Sequence, residues 1–182
     1  MKINNKNDRH ANRNDLAGEH ILGDMGQIVF FFLFLTIWIG DSFIFDYSTF
    51  LSESVIFLIR LPIAGVVLTA AIYLMREGLK IVFDEVREKP SVVRHGVFGI
   101  VRHPVYLGSI LFYLSLSIST LSLLSFIILL GIFLFYDFIA GFEEQLLTLK
   151  FGSSYEKYMQ DVLKWIPVFK LKSAKKTVNL QH

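Results

Sequence analysis

The chain has 182 residues, of which 53% are hydrophobic and none is cysteine, with a formal net charge of +2. Half apolar is about the upper end for an ordinary soluble domain, and here the excess is gathered in blocks, which points to a membrane protein. The absence of cysteine excludes disulfides, thiol nucleophiles and thiolate metal sites, and so small a net charge gives no electrostatic footprint for nucleic acid.

Residues 1–24 are polar, rich in Asn and Asp, and carry Lys2, Lys6, Arg9 and Arg13. This stretch is too long and too polar for the start of a signal peptide; it is expected to be a disordered cytoplasmic tail before a retained helix. Residues 27–45 form the first apolar block, with Phe30 to Leu35 as lipid-facing bulk. One spanning helix takes roughly 20 such residues. Asp41 falls near the outer end, where a polar side chain is expected to snorkel to the interface. Residues 55–75 form the second block. Arg60 near its outer end has the same expectation, and Ala64, Gly65, Ala70 and Ala71 suit close helix packing. Residues 76–102 read as the main extramembrane loop, broken by Pro90 and turned at Gly96 and Gly99. Residues 107–140 are long enough for two shorter helices with a tight turn within 117–122. The expected fold is therefore all-α, a polytopic membrane helix bundle of about four transmembrane segments ending in a helical hairpin.

Basic residues orient the bundle. Arg76, Lys80, Arg87, Lys89, Arg94 and Arg102 lie between the second and third segments, and the C-terminal tail is also basic. Residues 46–54 and 117–122 contain no Lys or Arg. The positive-inside rule then puts both termini and the central loop in the cytoplasm, with the basic tail, residues 168–182, against anionic membrane lipids. The domain between the tails spans residues 25–167.

After Glu143 and Glu144 a helix is expected to run to about Leu149 and close at Gly152. Ser153 and Glu156 have capping-box spacing and are expected to open a further helix. Tyr155, Tyr158, Val162 and Trp165 would form its apolar stripe, and Pro167 would end it.

The residues with chemistry cluster at two places. Pro104 suits the first turn of a helix, so Arg102 and His103 stand beside exposed backbone amides that could seat a carboxylate or phosphate. If the next two segments form a hairpin, Glu143 and Glu144 return to the same membrane face and supply the opposite polarity. Tyr106, Tyr136 and Phe98 offer π faces for an adenine ring or a positive centre. A zwitterionic cofactor with a carboxylate, a ribose and a positive sulfur matches these features.

The stretch 96–108, Gly-Val-Phe-Gly-Ile-Val-Arg-His-Pro-Val-Tyr-Leu-Gly, resembles the signature of the isoprenylcysteine carboxyl methyltransferase and phospholipid methyltransferase superfamily. Downstream, Glu143-Glu144-Gln145-Leu146-Leu147, then 151–155 with Tyr158, then Trp165-Ile166-Pro167 is similar to the second family block in the expected order. The resemblance covers residues 94–167. It implies an integral membrane methyltransferase with a cytoplasmic pocket for S-adenosylmethionine, acting on a lipophilic small molecule, a lipid or a prenylated acceptor. It implies cofactor contacts from His103 and Tyr106 at the methionine end, backbone from Val93 to Gly96 at the adenine, and Glu143 or Glu144 at the ribose. Pro104 and Gly108 belong to the same binding signature, and Glu143, as a base, and Arg102 are the candidate catalytic residues. Carboxyl-methylating members tend to carry an arginine one turn before the Glu pair; here that position is Ile139, with Asp137 nearby. This leaves a phospholipid headgroup amine open as the acceptor. A membrane reductase and a non-catalytic membrane scaffold are the readings from other classes.

Overall fold

The structure is a computed structural model and describes residues 21–83 and 91–167. The described residues are helical apart from loops and turns. Helix α1 runs Ile21–Ile39 and passes into a π-helical turn, Gly40–Phe45. A single-turn helix α2, Leu51–Ser54, precedes the long α3, Phe57–Phe83. A 3-10 turn at Gly96–Gly99 leads to α4, Pro104–Thr120, then α5, Leu123–Phe151, and α6, Ser153–Asp161.

Among the described residues, three helices are long and apolar enough to cross a bilayer: Met25–Phe45, Phe57–Phe83 and Leu123–Phe151. The fourth apolar helix, α4, has 17 residues. At 1.5 Å per residue it is about 25 Å long, somewhat less than a hydrocarbon core of about 30 Å. The third and fourth segments were both expected to be short, yet α5 has 29 residues. Their two-residue link, Leu121 and Ser122, places Pro104 level with about residue 139 of α5. The remainder of α5 overshoots by roughly 15–20 Å. Glu143 and Glu144 therefore lie within a continuous helix, not at its end as expected.

Two further boundaries differ from the sequence reading. Helix α3 continues eight residues past Met75 to Phe83, because Leu74, Gly78 and Ile81 keep one face buried beyond the apolar block. Helix α1 begins at Ile21, inside the stretch assigned to the polar tail. Residues 1–20, Pro90 and the basic tail 168–182 lie outside the described residues.

The bundle is held by close packing at its centre. Helix α3 packs chiefly on α4, where a Cβ at Gly108 would stand 2.6 Å from Met75 Cγ and 2.9 Å from the Ala71 carbonyl oxygen. Small residues at such a crossing let backbones approach and gain dispersion contact, the main source of helix association in lipid. Phe34 of α1 fits against Tyr113, with Ile110, Leu129, Ile132 and Tyr136 completing the core. At the end of the bundle where α4 and α5 join, Trp38 Nε1 donates to the Leu116 carbonyl (3.1 Å) and to Thr120 Oγ1 (3.0 Å).

Asp41 does not snorkel. It is 4% exposed, and its carboxylate accepts from Ser48 N at 2.9 Å, Ser48 Oγ and Ser122 Oγ. Those bonds fasten the link after α1 to the α4–α5 turn, and they satisfy a charge that burial alone would make very costly.

Candidate active site

At the other end of the bundle the hairpin brings the two polar clusters together. His103 holds the N-cap position of α4 in a non-helical conformation, φ −120° and ψ 68°, as a residue before proline tends to. Its ring is thereby turned towards α5. His103 Nε2 stands 2.9 Å from Glu144 Oε1, and Nδ1 stands 3.7 Å from Glu143 Oε2. Arg102 Nη1 reaches the same Glu144 oxygen at 3.3 Å, and the Tyr106 hydroxyl donates to Glu143 Oε1. Glu143 and Glu144 are consecutive on a helix, about 100° apart, so each takes a different part of the Arg102–His103–Tyr106 edge.

Aromatic rings line this cluster. The His103 and Tyr106 rings are parallel within 4° with centroids 5.7 Å apart, one helical turn separating their positions. Tyr136 stacks on Tyr106 with centroids 5.1 Å apart, and Trp165 stands 6.0 Å from His103. The rings and carboxylates form a wall that is negative in charge and rich in π faces, which suits a cation.

Two segments support the wall. The loop before α4 presses Val97, with Val93 and Phe98, against Leu74 and Ile81 at the end of α3. Gly96 has φ +57°, and a Cβ there would lie 2.6 Å from Ile81 Cδ1; only glycine meets both demands. Helix α6 lies beneath. Tyr155, Tyr158 and Val162 form a buried cluster, and the Tyr158 hydroxyl donates to the Phe98 carbonyl at 2.7 Å. Burial pushes both phenols above their usual range, and the Glu144 carboxylate adds to the effect at Tyr155.

The α6 region departs from the expected pattern in two ways. Gly152, with φ +54°, occupies the N-cap position and Ser153 makes no capping bond, so the capping box is not formed. The helix ends at Asp161, six residues before Pro167. Val162 is extended, and the non-helical stretch 162–167 crosses the start of α4 as a strap. Arg102 N donates to the Leu163 carbonyl at 3.1 Å. Trp165 leaves the Tyr155–Tyr158 stripe, and its Nε1 donates to Asp137 Oδ1 at 2.8 Å. Lys164 Nζ reaches the same oxygen at 2.7 Å.

Of the sequence candidates, Arg102, His103, Tyr106, Glu143 and Glu144 converge. Val93 and Gly96 pack on the end of α3, in the loop that leads into α4. Pro104 and Gly108 face α3 instead: a Cβ on Gly78 would lie 3.5 Å from Pro104 Cγ, and Gly108 is buried at the helix crossing. Ile139 is 3% exposed and belongs to the core. The Asp137–Lys164–Trp165 latch was not anticipated. Its one sequence signal was Asp137 inside an apolar helix, where an ionisable residue usually has a partner.

The phospholipid methyltransferase family profile matches residues 55–154, more than half of the chain. The chain belongs to this family. It is an integral membrane methyltransferase, and the matched region runs from the link before α3 to the start of α6, enclosing the whole convergent cluster. No curated protein and no solved structure gives a significant match.

Proposed function

We propose that this methyltransferase transfers a methyl group from S-adenosylmethionine to the amine of a phospholipid headgroup, at the cytoplasmic membrane face. The observation that carries the reading is the convergence of Glu143 and Glu144 on the Arg102–His103–Tyr106 edge, beside the Tyr136 and Trp165 rings. The sidedness rests on Arg76, Lys80, Arg94, Arg102 and Lys150 at this end of the bundle.

The residues present fit the cofactor. Arg102 Nε is buried without a hydrogen-bond partner, a donor suited to the carboxylate of the methionine moiety. Glu144, held by His103 and Arg102, offers a carboxylate for ribose hydroxyls or the α-ammonium group, and the loop at Val93 and Gly96 presents backbone to a base. When bound, S-adenosylmethionine supplies an electrophilic methyl group on a sulfonium. The chain aligns donor and acceptor for in-line displacement and keeps water out. Glu143 would take the proton from the headgroup ammonium, leaving its nitrogen lone pair free to accept the methyl group that the bound sulfonium would supply. The Tyr106 hydroxyl fixes the orientation of Glu143. The aromatic wall favours the cationic product and substrate alike.

A carboxylate acceptor is disfavoured here. Ile139 offers no guanidinium, and the remaining arginine of the cluster is committed to Glu144 and the cofactor. The test is calorimetric titration of S-adenosylmethionine into the full chain in nanodiscs, with Arg102→Ala and His103→Ala. Saturable binding that weakens at least tenfold in both variants is expected. Unchanged affinity in both would remove the proposed site.

A further inference from the structure

At the opposite end of the bundle, the link after α1, α2 and the starts of α3 and of the α4–α5 turn surround a pocket of about 280 Å³. Its wall combines Arg60, Asp46, Thr49 and Ser52 with Phe43 and Leu61. Arg60 lies in the first turn of α3, with its guanidinium 5.7 Å from the centre of the Phe57 ring. Nε and Nη1 are buried and have no hydrogen-bond partner. This is not a snorkelled arginine: its head is folded over an aromatic ring, with part of its donor set out of reach of water. A permanently charged guanidinium under-satisfied at a membrane boundary is costly unless an anion meets it.

The pocket also holds a carboxylate, Asp46, at a residue with φ +48°. Asp46 and Arg60 share the pocket without forming an ion pair with each other among the described residues. A site with one separated positive and one separated negative group complements a dipolar ligand better than a simple anion. The segments that form it also carry Phe43, Ile44, Phe45, Tyr47, Phe50 and Leu58, each more than half exposed. That apolar rim would hold acyl chains at the level where the polar wall holds a head.

We propose that this pocket seats the headgroup of one zwitterionic phospholipid from the leaflet opposite the methyl-transfer site. The phosphodiester lies on Arg60, whose fork matches two phosphate oxygens, and the headgroup ammonium lies towards Asp46. The bound lipid satisfies the buried guanidinium and closes the gap between the α1 link and α3. It is distinct from the methyl acceptor, which would enter at the far end of the helices. The proposal does not rest on the identity of that acceptor.

Native mass spectrometry of the full chain, released from detergent after titration with phosphatidylethanolamine or phosphatidylglycerol, tests this. Wild type should retain one phosphatidylethanolamine that Arg60→Gln loses with about tenfold weaker affinity, and Arg60→Lys should fall between them. Asp46→Asn should keep phospholipid binding but lose the preference for phosphatidylethanolamine over phosphatidylglycerol. Lipid held at the acceptor site should persist in Arg60→Gln, and its loss in Glu143→Gln identifies it. Inorganic phosphate should not displace the lipid at millimolar concentration. Equal retention in wild type, Arg60→Gln and Arg60→Lys would overturn the proposal. Displacement by inorganic phosphate would overturn it too, because the pocket would then be a free-anion site.

Discussion

Removing the Asp137 carboxylate should release the strap that crosses the active site. In Asp137→Ala, Oδ1 no longer receives Lys164 Nζ and Trp165 Nε1, which it binds at 2.7 and 2.8 Å. The lysine contact is half in solvent, with the Asp137 side chain 47% exposed, so it contributes about 0.5–1 kcal/mol. The indole bond to a carboxylate is better shielded and contributes about 1–1.5 kcal/mol. Lys164 keeps its second bond, to the Asp137 backbone carbonyl at 3.0 Å. The net loss is about 2 kcal/mol, or about 30-fold in the opening equilibrium of residues 162–167. Arg102 N reports that opening directly, since its proton is bonded to the Leu163 carbonyl. Hydrogen exchange of a peptide spanning residues 101–107 should therefore accelerate about 30-fold in Asp137→Ala and only a few-fold in Asp137→Asn, which keeps an acceptor oxygen. Exchange within twofold of wild type in Asp137→Ala would refute the idea that this latch holds the strap closed.

Other perturbations separate packing from chemistry. Glu144→Gln should weaken S-adenosylmethionine binding by about 10–100-fold while lowering the melting temperature only slightly, because His103 and Arg102 lose a shared anionic partner; calorimetry and thermal melts read the two effects separately. Gly108→Leu should destabilise the bundle by about 1–3 kcal/mol through overpacking at the α3–α4 crossing. Gly65→Ala, with nothing within 4 Å of its added Cβ, should be neutral or slightly stabilising, both measured by thermal aggregation in detergent. Because the Tyr155 and Tyr158 phenols are raised in the folded state, stability is full below the usual phenol range near pH 10 and falls as pH rises above it. Tyr155→Phe should flatten that alkaline loss of melting temperature.

The sequence made the two polar clusters and the hairpin between them readable because the relevant distances follow from helix geometry. With the turn at Leu121 and Ser122, equal rise per residue on α4 and α5 brings residue 140 level with His103, and Glu143 and Glu144, within about one turn of it, meet its ring. The Tyr155–Tyr158 pair was legible for the same reason, as a periodic feature of one helix. What escaped depended on the chain between helices. Asp41 looked like an interfacial side chain because its partners, Ser48 and Ser122, lie on links with no periodic pattern. Trp165 looked like the fourth member of a helical stripe because nothing local marks Val162 as the point where the backbone turns extended. The close approach of Gly108 to Met75 and Ala71 also escaped, because those neighbours lie on the preceding helix.

The measurement that tests the central claim most directly is mass spectrometry of the lipids after the full chain, in phosphatidylethanolamine nanodiscs, is given S-adenosylmethionine carrying a deuterated methyl group. A prenylated cysteine is supplied in a parallel reaction. Headgroups heavier by one or more labelled methyl groups, absent with Glu143→Gln, are the predicted result. Label transferred only to the prenylated cysteine, with the headgroups unchanged, would contradict the account.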